Sequence, residues 1–148
     1  MEAIILCGIQ GAGKSTFCRD RYWESHIRLN YDMLRTRHRE KLMLAACIES
    51  KQSFVVDATN PTILDRERYV SQAKAAKFKV IGIQFVVPVE LAVGRNAMRA
   101  TKQCVPNKAI YATAAKFQPI TFAEGFDELW LAIVSADGIE LKEKDSAI

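Results

Sequence analysis

Apolar runs of strand length recur along the chain, separated by longer segments in which apolar and polar positions alternate with helical spacing. Four runs, Ala3 to Cys7, Phe54 to Val56, Val80 to Val87 and Leu129 to Val134, are nearly unbroken, the pattern of strands covered on both faces. A weaker run lies at Ile27 to Leu29. Between them the spacing predicts helices over Lys14 to Trp23, Met33 to Glu49, Asp65 to Lys77, Val89 to Arg99 and Pro106 to Phe117. Strands alternating with helices imply β-α-β units, hence an α/β fold with a mostly parallel sheet flanked by helices on both faces. Pro61 and Thr62 suit a helix start, the proline in the first turn and the threonine as cap, and Pro106 opens the fifth helix in the same manner. The polar stretch Ala100 to Val105 follows the basic helix end Arg95 to Arg99, which suggests a small lid over about residues 95–106.

With 148 residues the chain is expected to form one domain, 1–148, around a single core. Its 49% apolar content is ordinary globular usage and excludes a disordered chain. The net charge of +4 is unevenly spread. From Ala123 to Ile148 seven acids face two bases, and residues 136–148 read as an acidic C-terminal tail. The remaining body is strongly basic, which is compatible with nucleic acid or nucleotide phosphates. Cys7, Cys18, Cys47 and Cys104 are scattered, so neither a zinc site nor a disulfide framework is indicated. The apolar stretch Val80 to Val89 is interrupted by Gln84 and Pro88 and is far shorter than the ~20 residues of a membrane helix. The expectation is a soluble cytoplasmic protein without a membrane partner.

Candidate chemistry begins where the first strand ends. Gly8 to Ser15 fits G-x-x-x-x-G-K-[ST], and it lies between a strand and a helix, the context a phosphate-binding P-loop requires. Glycines let the backbone turn tightly so that N–H groups point at a phosphate, and the following helix adds positive potential there. Gly8, Gly11, Ala12, Gly13, Lys14, Ser15 and Thr16 are the candidate nucleotide-binding set. Lys14 can reach the β- and γ-phosphates of ATP, and the Ser15 hydroxyl can ligate Mg²⁺. Asp57 closes the run Phe54 to Val56 as a second magnesium-ligand candidate of the Walker-B type. The sequence Asp57-Ala58-Thr59-Asn60-Pro61 is also turn chemistry, so a capping role stands beside the metal role.

Asp32 follows the weak second strand and opens the next helix, where it reads either as a first-turn acid or as a kinase's general base. Arg35, Arg37, His38, Arg39 and Lys41 crowd the start of that helix, as a solvated basic face or as cations for a phosphate-bearing acceptor. Arg95 and Arg99 are four apart and share a face of the predicted helix, which suits lid arginines over a γ-phosphate or a surface pair. His26 and His38 show no dyad or ligand spacing, Trp23 and Trp130 read as packing residues, and Cys7 and Cys18 as small hydrophobes.

The order Gly8 to Thr16, Leu29 to Arg35, Val55 to Pro61, Arg66 to Tyr69, Arg95 to Arg99 and Lys116 to Phe126 resembles the 5′-polynucleotide kinases, P-loop kinases that include bacteriophage end-healing enzymes. The resemblance runs to about Trp130. It implies a P-loop kinase core in which ATP and Mg²⁺ serve phosphoryl transfer to a 5′-hydroxyl end of DNA or RNA. Carried onto this chain, it implies Asp32 as general base, Arg35 as the arginine for the acceptor phosphate, and Lys14 and Ser15 at the nucleotide. It further implies Arg99 as lid arginine with Arg95 nearby, Asp57, Thr59 and Asn60 at a strand end, and Val105 and Pro106 along a substrate channel. Two departures stand out. Many relatives have a basic residue before the catalytic aspartate, where this chain has Tyr31. The phosphatase domain often fused to such kinases is absent, so the expectation includes a phosphatase or ligase on another polypeptide. Two other readings fit the P-loop: a small-molecule kinase acting on a nucleoside, sugar or antibiotic hydroxyl, and a nucleotide-dependent switch. Asp32 speaks against the switch, which needs no acceptor base, and the basic run speaks for an anionic acceptor.

Overall fold

The computed structural model describes residues 1–145. In chain order the elements are β1 (Glu2–Cys7), α1 (Lys14–Tyr22), β2 (Ile27–Leu29), α2 (Tyr31–Leu34), α3 (Arg37–Ser50), β3 (Phe54–Val56) and α4 (Ile63–Ala75). They continue with β4 (Lys79–Val86), α5 (Val89–Ala97), α6 (Asn107–Lys116), a 3₁₀ turn at Phe122–Glu124, β5 (Glu128–Ser135) and β6 (Gly138–Glu143). The strands form one sheet in the order β2-β3-β1-β4-β5-β6. All neighbours pair parallel except β5 and β6. This is the mostly parallel α/β P-loop kinase fold.

β1 is the centre of the core because its residues serve both faces. Ala3, Ile5 and Cys7 pack with Leu44, Tyr69 and Val70 on one side, while Ile4 and Leu6 pack with Cys18 and Phe85 on the other. Each of the leucine, isoleucine, valine and phenylalanine side chains among them, taken fully out of water, contributes about 1.5–3 kcal/mol. From β1 the chain moves to the β2 edge, and from β3 it crosses to β4 on the far side of β1. The crossovers therefore diverge beside β1, and the crevice at the carboxyl ends of β1 and β3 is where such sheets bind ligands.

Several expectations need correction. The acidic tail expected over 136–148 instead supplies β6, with residues 146–148 outside the described part. Asp137-Gly138 is a hairpin-turn signal, and Gly138 adopts the positive φ of 133°. The charges on β6 are those of an exposed edge strand, which they protect from pairing with other chains. The helix expected over Met33 to Glu49 is two helices. Arg35 takes a positive φ of 77° and Thr36 caps α3, its Oγ1 accepting from the Arg39 N–H at 3.1 Å. α4 begins two residues earlier than expected, because Thr62 and Asp65 form a capping box. α5 stops at Ala97, so Arg99 lies beyond the helix and shares no face of it with Arg95. Trp23 is 78% exposed rather than packed, whereas Trp130 joins the core edge. Among the described residues no helix is long and apolar enough to cross a membrane.

Candidate active site

The P-loop joins β1 to α1 and is braced from three directions. Two of its glycines are steric necessities: a Cβ on Gly8 would meet Phe85 Cβ at 2.8 Å, and one on Gly11 would run into the Ala92 carbonyl oxygen of α5. Ile9 is buried with Ala92 and Ile110, and Gln10 Nε2 donates to Thr113 Oγ1 of α6 at 3.1 Å. From the β3 side, the Gly8 N–H donates to the Thr59 carbonyl at 2.9 Å, and Asn60 Nδ2 donates to the Leu6 carbonyl at 2.8 Å.

Lys14 is buried, and its Nζ donates to the carbonyls of Gly8 (2.8 Å) and Ile9 (2.7 Å). Burial pulls its pKa down to about 8, opposed by the negative charge of Asp57 and reinforced by Arg99. Ser15 Oγ donates to Asp57 Oδ2 at 3.0 Å, so the two candidate magnesium ligands do meet.

Asp57 also holds a cation that the sequence reading missed. Arg28 of β2 donates to Asp57 Oδ2 from Nε at 2.9 Å and lies within 2.8 Å of it through Nη2, with Ser15 Oγ at 3.5 Å. Its signal was faint, a single polar residue in a three-residue strand whose next residue, Leu29, is fully buried. Asn30 is a second residue of this kind. Its Nδ2 donates to the Asp57 carbonyl at 2.9 Å while its Oδ1 accepts from the Met33 N–H at 2.9 Å, capping α2. One side chain thereby ties the helix carrying Asp32 to the strand carrying Asp57. Asp32 itself is exposed in the first turn of α2, and Arg35 follows at the end of that helix, also exposed.

On the lid side, Arg95 lies against the P-loop, its Nη1 3.8 Å from where a Gly13 Cβ would stand, while Nη2 donates to the Ser135 carbonyl at 3.1 Å. Residues 97–104 are exposed. Their base is pinned by buried Asn96, whose side chain bonds both the carbonyl (2.6 Å) and the N–H (3.0 Å) of Val105. Val105 packs into the Ile9 cluster and Pro106 caps α6. His26, which showed no partner spacing, bridges Ser25 (2.6 Å) and Glu2 (3.0 Å) at the other end of the sheet.

Behind the site lies a buried ion pair. Arg66, fully buried, donates to Glu124 from Nε (2.7 Å) and Nη2 (3.2 Å) and to the Asn60 carbonyl from Nη1 (3.0 Å). It links the Val55 to Pro61 and Lys116 to Phe126 motifs, which are far apart in sequence.

A family model described as an AAA domain matches residues 28–120, more than half of the chain. The chain belongs to the AAA domain family. The match begins after the P-loop, so the P-loop motif is a separate observation from it. The bifunctional polynucleotide phosphatase/kinase of Schizosaccharomyces pombe is 28% identical to this AAA domain over 129 residues, 84% of this chain and 32% of that protein. A putative bifunctional polynucleotide phosphatase/kinase of Acanthamoeba polyphaga mimivirus is 29% identical over 100 residues, 66% of this chain and 24% of that protein. The likeness to the polynucleotide kinase family read from the motifs is thus shown, although the chain spans only about a third and a quarter of these relatives' length. Among solved structures, Kti12 of Chaetomium thermophilum in complex with ADP-AlF3 superposes with a TM-score of 0.67 at 17% identity, covering 91% of this chain and 89% of that one. A putative kinase from Chloroflexus aurantiacus gives 0.64 at 18% identity, covering 90% and 84%. A gluconokinase from Sinorhizobium meliloti gives 0.62 at 15%, covering 90% and 83%. At such identities these structures speak for the fold alone.

Proposed function

We propose that this AAA domain transfers the γ-phosphoryl group of ATP to the 5′-hydroxyl end of DNA or RNA. The observation that carries the reading is the pairing across one crevice of a phosphate loop with a helix that presents Asp32 and Arg35, tethered to Asp57 through Asn30.

The residues fit a nucleotide. The Lys14 ammonium, now bonded to two loop carbonyls, is positioned to turn to phosphate oxygens, and the positive end of α1 begins at the same residue. A magnesium ion, when bound, would offset charge between the β- and γ-phosphates. Ser15 and Asp57 would hold it, with Arg28 giving up its grip on the carboxylate. Among the described residues there is no cluster of three or more His, Cys, Asp or Glu.

Asp32 accepts the proton of the 5′-hydroxyl as its oxygen bonds to the γ-phosphorus and the bond to ADP breaks. Arg35 holds the phosphate on the 3′ side of the reacting nucleoside and so aims the hydroxyl. Arg99 from the lid, and Arg95 from α5 beside the P-loop, stabilise charge on the transferring group. The reading extends to nucleic-acid end repair, with a phosphatase or ligase activity as a working partner. Labelled-ATP transfer to 5′-hydroxyl DNA and RNA oligomers, run against a panel of sugars, nucleosides and antibiotics, tests it. Labelled oligomers support the proposal, and a labelled neutral small alcohol with bare oligomers overturns it in favour of a small-molecule kinase.

A further inference from the structure

The break between α2 and α3 brings together side chains that the mechanism above does not use. Arg35 at φ 77° and the Thr36 cap turn the chain so that Arg37 folds back over Tyr31, its guanidinium carbon 4.2 Å from the ring centroid. Glu40 fixes that arrangement from below. This carboxylate is 4% exposed and accepts from Arg37 Nη1 at 3.0 Å, with Arg68 Nη1 3.9 Å away. Arg68 in turn lies over Tyr69, 4.9 Å from its centroid. Burying a carboxylate is costly unless it is paired, so the chain commits two arginines to this one acid. The result is a planar cation with Tyr31 on one face, Glu40 on one edge, and an Arg37 side chain still 56% exposed. It adjoins Asp32 and Arg35 in sequence.

We infer that the Tyr31–Arg37 stack is a platform for the base of the second nucleotide of the acceptor strand. Guanidinium planes and aromatic rings stack on any nucleobase without reading its sequence. Asp32 meets the hydroxyl and Arg35 the next phosphate, and Tyr31 and Arg37, which flank these two in the chain, close into one stack beside them for the base beyond. The inference rests on the polynucleotide reading and adds a subsite to it.

The test compares three 5′-hydroxyl acceptors in steady-state assays: a nucleoside 3′-phosphate, a dinucleotide, and a dinucleotide whose second sugar lacks its base. In the wild type the dinucleotide should have a KM about tenfold below that of the nucleoside 3′-phosphate, the scale of one stacked base, and the abasic acceptor should lose most of that gain. Arg37→Ala should narrow the gap to about twofold, and Arg37→Lys, which keeps the charge but not the plane, should narrow it nearly as far. Tyr31→Phe should keep the gap. An abasic acceptor as good as the intact one, or an Arg37→Ala enzyme with the full gap, overturns the platform while leaving the kinase reading intact. No transfer to any of the three by the wild type overturns both, and that outcome appears before any variant is made.

Discussion

The loop after β1 and the segment after β2 face the same crevice, yet only the first is held from every side. Lys14 is buried, Ile9 is packed against α5 and α6, and the loop's first N–H is taken by Thr59. Asp32 and Arg35 are exposed, joined to the scaffold through the Asn30 cap and a strained turn at Arg35. The phosphate side is thus formed before any ligand arrives. On the proposed reading the acceptor side is a short exposed helix on a tether, open to the strand end. A kinase can fix what is constant among its substrates, the triphosphate, and leave adaptable what varies.

The most severe way to probe the adaptable side is to remove its one reactive group. Asp32→Asn should lower turnover by roughly 10² to 10⁴ while nucleotide affinity, set by the braced loop, barely changes. A variant keeping a tenth of wild-type turnover would reduce Asp32 to a helix first-turn acid. On the braced side, Glu124→Ala strands the Arg66 guanidinium in the core and should cost about 3–5 kcal/mol of unfolding free energy. It should also weaken ATP binding, because Arg66 holds the Asn60 carbonyl and the Asn60 side chain holds Leu6. Equilibrium urea unfolding together with nucleotide titration reads both. Loss of stability with unchanged affinity would uncouple the ion pair from the P-loop.

A subtler signature belongs to Lys14. Burial lowers its pKa from 10.5 to about 8, so between those values the unfolded chain holds the proton more tightly than the folded one. Stability from this group therefore rises with pH across that window, by about 1–3 kcal/mol in total. Against Lys14→Met, which does not titrate, the wild type should gain ground from pH 8 to 10.5 in denaturant unfolding. A flat difference would mean that the lysine is solvated. The smallest effect is expected at the tether, where Thr36→Ala removes the α3 cap and should cost about 1 kcal/mol. It should leave ATP affinity untouched and raise the acceptor KM, and a change confined to ATP would reverse the assignment of the two sides.

The two sides also differed in how legible they were. The P-loop could be read from Gly8 to Ser15 because its chemistry is local: one turn, one lysine, one hydroxyl at fixed spacing. Four buried strands were equally plain, since continuous apolar runs have few alternatives. Arg28 escaped notice because its partner Asp57 is a neighbour only across the β2–β3 pair, which the sequence does not display. The helix break at Arg35 escaped because helical spacing continues through it. β6 was hidden by its charges, which mimic a solvated tail.

The claim underlying both halves of this comparison is that the acceptor side is built for an anionic strand end. The direct measurement is the ratio of kcat/KM for a nucleoside 3′-phosphate to that for the bare nucleoside, in the wild type and in Arg35→Ala. A charge-assisted contact worth about 1.5–3 kcal/mol predicts a wild-type ratio of roughly ten to a hundred or more, shrinking toward one in the variant. A wild-type ratio near one would contradict the account and assign the crevice to a neutral small-molecule acceptor.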